Sequence, residues 1–299
     1  MLVLAAAIWG VAFVAQSTAA DLVEPFTFNG LRSWIGCAVL MLYIRLRDRK
    51  KGIPLLPKEK SARKTLLVSG ALCGVILFVS VNFQQFGISV YPDGVASSGR
   101  SGFITAIYVV LVPLCGYFFR KKVHPLVWVG VALSLFGMYL LCFTDGFAGL
   151  YLGDVLVFAC ALCFTGHILT VDRFSPMTDG VKLSCVQFFV AGALSMIGMI
   201  LFESPNLLNI LNAWLPLLYA GVLSSGVAYT LQIVGQRDTE PTVASLLMSL
   251  ESVFAGLGGW LLLREQLAPR ELLGCVLVFA AVVVAQVPGF FTKKQNCNI

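Results

Sequence analysis

Charge is scarce in this chain. Only 12% of its 299 residues are Asp, Glu, Lys or Arg, while 58% are hydrophobic and the mean hydropathy is +0.88. An ordinary soluble domain carries about twice that share of charge, so a soluble fold is excluded. Motifs of enzyme chemistry are missing as well. There is no HExxH, no GxxxxGK[ST], no GxSxG elbow and no pair of aspartates within the apolar runs. No basic stripe with interleaved aromatics marks a nucleic-acid surface, although the formal net charge is +6. Met1 to Ala20 lacks the positive start of a signal peptide. Eight of the nine cysteines, from Cys37 to Cys275, lie in apolar runs, where Cys acts as a small hydrophobe. Cys297 is third from the end and does not fit a prenylation box.

The apolar residues fall into ten runs of about 18–23, each long enough to cross a bilayer as a helix. They are Leu2–Ala20, Phe26–Ile44, Leu66–Gly87, Gly102–Phe119, Val123–Phe143, Leu150–Val171, Leu183–Phe202, Ala213–Gly235, Thr242–Leu263 and Leu272–Phe291. The expected fold is therefore an all-α integral membrane protein with ten transmembrane helices. The basic residues between runs set its orientation. Arg45 to Lys64, Arg120 to Lys122, Arg173, Lys182, Arg237, Lys293 and Lys294 share one side if every run crosses. The other side holds Arg264 and Arg270 beside acids such as Asp21, Glu24, Asp145 and Glu203. Both termini are expected in the cytoplasm, with the chain in the cell membrane.

Internal similarity points to two halves. A shift of 155 lays Trp9 on Phe164 and Arg32 on Gln187. A shift of about 144 lays Arg120 on Arg264, Pro125 on Pro269 and Gly130 on Gly274, and one of 148 lays Val95–Ser97 on Val243–Ser245. Five runs per half is an odd number, so the second half must be inverted relative to the first. The expected division is a first repeat over 1–147, a second, inverted repeat over 148–292 and a cytoplasmic tail over 293–299. Inverted repeats with a site near the midplane are characteristic of secondary transporters.

Three stretches carry a family resemblance: "AIWGVAFV" in run 1, "GFITAIYVVLVPL" in run 4 and "SLLMSLESVFAGLGGWLLLREQL" in run 9. They resemble the EamA family of the drug/metabolite transporter superfamily. The resemblance implies a ten-helix inverted-repeat carrier of small metabolites working by alternating access, without naming a substrate. Ser252 stands where many relatives carry proline, so helix 9 is expected to be less kinked.

Glu251 is the most informative candidate residue. It is a lone acid in an uncharged run of about 22 residues, ~13 Å from either end. An acid at that depth costs roughly 2.5–3.5 kcal/mol on insertion scales, and Glu is too short to reach the headgroups. It reads as a cavity residue against the alternative of a structural ion pair. On run 2, Asn29 and Arg32 share a face, and Arg32 is either a grip for an anion or a residue reaching the interface. Arg100 is either an anion contact at the cavity mouth or an exposed interfacial cation. Asn82, Gln84 and Gln85 end run 3, while Ser225, Tyr229, Gln232 and Gln236 form a stripe on run 8, costly to hold against lipid. Trp9 and Gln16 share a face of run 1, and Gln187 stands opposite Arg32 in the repeat. His167 shares a face with Cys160 and Cys163, but no fourth zinc ligand is visible; it reads as structural or as a proton relay or cavity donor.

The expected substrate-contacting set is Trp9, Gln16, Asn29, Arg32, Asn82, Gln85, Arg100, His167, Gln187, Tyr229, Gln232 and Glu251. The expected function is secondary transport, in the export direction, of a small polar or amphiphilic metabolite, with an amino-acid-like substrate favoured. The rivals are a membrane enzyme or a lipid flippase acting on lipid-linked substrates. No catalysis, cofactor, metal or nucleic acid is expected. The partners are the substrate and the lipid bilayer; a proton is a candidate coupling ion and a homodimer a candidate assembly.

Overall fold

The computed structural model describes residues 1–92, 97–118, 124–142, 150–262 and 269–296. Val95, Ala96, Arg120 to Lys122, Asp145, Arg264 and Cys297, which entered the reading above, lie outside the described residues. Among those described the fold is wholly helical. The helices are α1 (Leu2–Ala20), α2 (Pro25–Lys51), α3 (Lys60–Ser89), α4 (Ser97–Thr105), α5 (Tyr108–Phe118), α6 (Pro125–Cys142) and α7 (Leu152–Phe174). A 3₁₀ turn, Ser175–Met177, leads to α8 (Gly180–Phe202), α9 (Leu207–Asn212) and α10 (Trp214–Leu218). A π-helical segment, Tyr219–Ala228, joins α10 to α11 (Tyr229–Gln236), followed by α12 (Pro241–Met248), α13 (Glu251–Leu262) and α14 (Pro269–Asn296).

Among the described residues, seven stretches are long and apolar enough to cross a membrane: Leu2–Ala20, Lys60–Ser89, Arg100–Tyr117, Leu152–Met177, Gly180–Phe202, Trp214–Gln236 and Pro241–Gly258. The other three of the ten expected runs fall in α2, α6 and α14. In α2 the polar Asn29, Arg32 and Ser33 interrupt the apolar sequence. Shorter apolar helical stretches, Pro125–Leu140 and Leu272–Ala285, lie in α6 and α14.

Local chemistry sets the ends. Pro25, Pro125, Pro241 and Pro269 each open a helix, at the position where a missing N–H costs nothing. Gly52, at φ 65°, stops α2: its N–H bonds to Arg49 O at 3.4 Å and Ile53 N–H bonds to Asp48 O at 2.9 Å. Asn206 caps α9 by accepting from Leu208 N–H at 2.9 Å.

Packing crosses between the halves. α2 lies on α8, α3 on α7 and α8, α1 on α13, and α6 on α14. The α2–α8 contact is fastened at both ends. At one, the Glu203 carboxylate accepts from Phe26 N–H at 2.6 Å and from the Thr27 N–H and hydroxyl at 2.7 Å, the favourable place for an anion at a helix start. At the other, Lys182 pairs with Asp48 at 2.7 Å and Arg47 bridges Asp48 at 2.9 Å to Asp179 at 2.7 Å. Burial would raise the Asp48 carboxyl, but Lys182 and Arg47 outweigh it and hold the group below the usual carboxylate range.

Candidate functional site

Two of the membrane-length stretches are broken, and the breaks match. α4 ends at Thr105 and α5 begins at Tyr108; α12 ends at Met248 and α13 begins at Glu251. At the first break Ile107, Val109 and Val110 N–H groups reach only three residues back, to Ile104, Ala106 and Ile107. At the second, Ser252 N–H bonds to Ser249 O at 3.2 Å. The chain tightens to 3₁₀ spacing at both points, a common device where a helix passes a functional site. Ser252 stands directly after the second interruption, in place of the proline that many relatives carry.

The four residues that flank the breaks, Thr105, Tyr108, Met248 and Glu251, line one cavity. α1 contributes Trp9, Ala12, Phe13 and Gln16, and α2 contributes Arg32. Gln84 comes from α3, Phe164 and Ile168 from α7, Ser224 from the π-helical segment, and Tyr229 and Gln232 from α11. The residues that line it therefore come from both halves. The space open to water centres is about 40 Å³, room for a few waters and too little for a metabolite, so binding one requires the helices to part.

The acid and the arginine on the lining are each held by a neighbour. Tyr108 Oη donates to Glu251 Oε1 at 2.9 Å, and among the described residues no cation lies within ion-pair distance of this carboxyl. Glu251 is 4% exposed and Arg32 is 3% exposed, so both charges are buried on the same cavity. Arg32 Nη1 donates to Gln16 Oε1 at 3.3 Å, and its guanidinium lies 5.4 Å from the Phe28 ring centre. The Trp9 ring meets Tyr229 edge-on at 4.8 Å. Close packing positions the acid: Gly10 lets α1 approach α13, and a Cβ there would lie 2.7 Å from Glu251 O and 2.6 Å from Ala255 N.

Six of the twelve expected residues meet at this cavity: Trp9, Gln16, Arg32, Tyr229, Gln232 and Glu251. The other six sit off its lining, each in an interhelical tie. Asn29 Nδ2 donates to Val81 O and Asn82 Oδ1, both at 3.0 Å. Asn82 Nδ2 donates to Phe78 O at 2.7 Å, and Gln85 Nε2 to Gln16 O at 3.2 Å. His167 Nε2 and Gln187 Oε1 bond at 3.1 Å between α7 and α8. Arg100 grips Asp154 at 2.5 and 2.6 Å over the Tyr151 ring, and Tyr91 Oη also donates to Asp154, at 2.8 Å. Its guanidinium is thus engaged with a carboxylate of α7, where the sequence alone left it open to an external anion.

Tyr108 was missing from the expected set, as were Thr105, Phe164, Ser224 and Met248. The repeat held the signal for Tyr108, because the shift of about 144 lays it on Ser252, one residue from Glu251. Two clefts flank α12. One of about 560 Å³ is lined from Val112, Leu169, Asp172 and Thr242, and one of about 340 Å³ from Leu2, Val234, Asp238 and Leu247.

The profile of the EamA-like transporter family matches residues 1–143 and 151–286. The chain belongs to this family. Among its EamA-type relatives, an uncharacterized transporter of Archaeoglobus fulgidus is 30% identical, over 95% of this chain and 83% of that one. The uncharacterized inner membrane transporter YedA of Escherichia coli is 26% identical, over 96% and 90%. The uncharacterized transporter YoaV of Bacillus subtilis is 22% identical, over 92% and 91%. A solved crystal structure at 19% identity superposes with a TM-score of 0.71 over 94% of this chain and 98% of that one, a likeness of fold. Together with the apolar helices, these relatives make the EamA chain a multi-pass membrane protein of a transporter family, and the names point to transport rather than catalysis.

Proposed function

We propose that this EamA protein is a secondary transporter of a small zwitterionic, amino-acid-like metabolite, working by alternating access through ten crossings arranged as two inverted repeats. The observation that carries this reading is the cavity between two matched helix breaks, with Arg32 and Glu251 buried on its wall without an ion pair between them. An arginine and a carboxyl kept apart on one buried wall suit a ligand bearing both an anionic and a cationic group. Broken helices at mid-depth are the usual means by which carriers expose backbone and polar groups to a substrate. The offset between the breaks is the same at both edges, 143 residues from Thr105 to Met248 and from Tyr108 to Glu251, which supports the repeat.

In this reading both termini are cytoplasmic, so the clefts beside α12 open towards the cytoplasm. Val112 is one turn from Tyr108, and Leu169 adjoins Ile168. Solutes entering there come within a turn of the cavity, so in this reading the clefts serve as its cytoplasmic approach. Glu251 then either exchanges a proton in competition with substrate or pairs directly with the substrate's ammonium group.

Glu251→Gln tests this, because it keeps size and hydrogen bonding while removing the charge. Folding is expected to survive and active transport to collapse. Exchange measured without a pH gradient separates the mechanisms: retained exchange supports proton coupling, and lost exchange supports substrate pairing. Wild-type activity in both assays would defeat the reading.

A further inference from the structure

Two residues that line the cavity each carry a fully buried polar atom with no hydrogen-bond partner among the described residues: Trp9 Nε1 and Gln232 Oε1. Buried polar groups are bonded in the large majority of cases, so each such atom asks for an explanation. Other orphaned atoms, such as His167 Nδ1 and Gln187 Nε2, belong to side chains off the lining and do not bear on a ligand there.

The chemistry of the two is opposite. An indole N–H can only donate. The orientation of Gln232 is fixed by a relay. Gln236 Nε2 donates to Ile168 O at 3.3 Å, so its Oε1 must accept, and it does so from Gln232 Nε2 at 3.0 Å. That leaves Gln232 Oε1 as a free acceptor. The cavity therefore offers a neutral donor in addition to the Arg32 cation, and a neutral acceptor in addition to the Glu251 carboxyl. Phe13, Phe164, Ile168 and Met248 supply apolar surface for the rest of a ligand.

We infer that Trp9 and Gln232 are specificity-determining residues: Trp9 Nε1–H, which can only donate, takes a carboxylate oxygen of the ligand, and Gln232 Oε1, left as an acceptor, takes an ammonium hydrogen. The assignment rests on the zwitterion reading above and divides the ligand's two charged groups between named atoms.

The test uses the full chain in proteoliposomes. Counterflow with each standard amino acid identifies the one exchanged fastest. That amino acid, its decarboxylated amine and its deaminated acid then serve as probes, the last two as competitors. Trp9→Phe keeps the ring against Tyr229 and removes only the N–H. It is expected to weaken the amino acid and the deaminated acid by about 10-fold and to leave the amine unchanged. Gln232→Met is expected to weaken the amino acid and the amine and to spare the deaminated acid, while Gln232→Glu, which keeps an acceptor, restores the amine. Equal loss for all three probes in either variant, or no loss, would overturn the assignment and leave the carrier reading standing. Exchange of no amino acid by the wild-type protein would overturn the zwitterion reading and the assignment with it.

Discussion

Tyr108 and Glu251 are each the first residue of a helix after a break, and the Tyr108 hydroxyl donates to the Glu251 carboxyl at 2.9 Å. One hydrogen bond thus joins the two interruptions across the cavity. In the proposed carrier mechanism, a ligand that engages Glu251 would also act on this link between the broken helices.

Tyr108→Phe removes that link while keeping the ring. A hydrogen bond to a charged group is worth about 1.5–3 kcal/mol, so transport should fall roughly 10- to 100-fold. The amount of folded protein, read by size-exclusion chromatography, should change little. Unaltered kinetics would mean the bond only fills space.

Gly10 is predicted to intolerate a methyl group. A Cβ there would meet Phe254 Cβ at 2.5 Å, Ala255 N at 2.6 Å and Glu251 O at 2.7 Å, two of them backbone atoms of α13. Gly10→Ala must push α13 and its acid away from the cavity, at an overpacking cost of about 1–3 kcal/mol and with a raised KM. Gly258→Ala is the control on the same helix pair, since its nearest neighbour would be Val11 Cγ2 at an ordinary 3.5 Å. Equal behaviour of the two variants would refute the positioning role of Gly10.

Asp48 should stabilise the protein in a pH-dependent way. Its folded-state carboxyl lies below the usual range, so the contribution is fully present above about pH 4 and is lost as pH falls through the folded value. Asp48→Asn keeps an amide acceptor near Lys182 but removes the charge that balances it, a loss of up to about 3 kcal/mol at neutral pH. Thermal unfolding in detergent should show a Tm deficit for the variant that shrinks towards acid pH. A deficit that grows on acidification would reverse the assigned sign.

Much of this site was legible in the sequence, for a physical reason. Charges and amides in apolar runs are costly, so Glu251, Arg32, Gln16 and Gln232 stood out against their neighbours. The breaks did not. Thr105 to Tyr108 and Met248 to Glu251 contain neither proline nor glycine, so no residue within either break announces it. Pairings between distant residues were equally hidden. Asp154 lies 54 residues from Arg100, and nothing in the intervening chain announces that the two will meet.

The two arginines should therefore fail differently when neutralised. Arg32 lines the cavity and, among the described residues, donates only to Gln16, through a long 3.3 Å contact that a stronger anionic ligand can replace. Arg32→Gln should raise KM by 10-fold or more, the loss expected for a charge-assisted bond, with the protein still folded. Arg100 holds Asp154 through two bonds in a buried site, where removing one partner strands the other at about 3–5 kcal/mol. Arg100→Gln should accordingly lower Tm and the yield of folded protein, and the molecules that survive should keep a KM near that of the wild type. Replacing Asp154 by Asn in the same chain should recover part of the lost stability, because it removes the stranded charge. A raised KM in Arg100→Gln at unchanged Tm would return Arg100 to the substrate path.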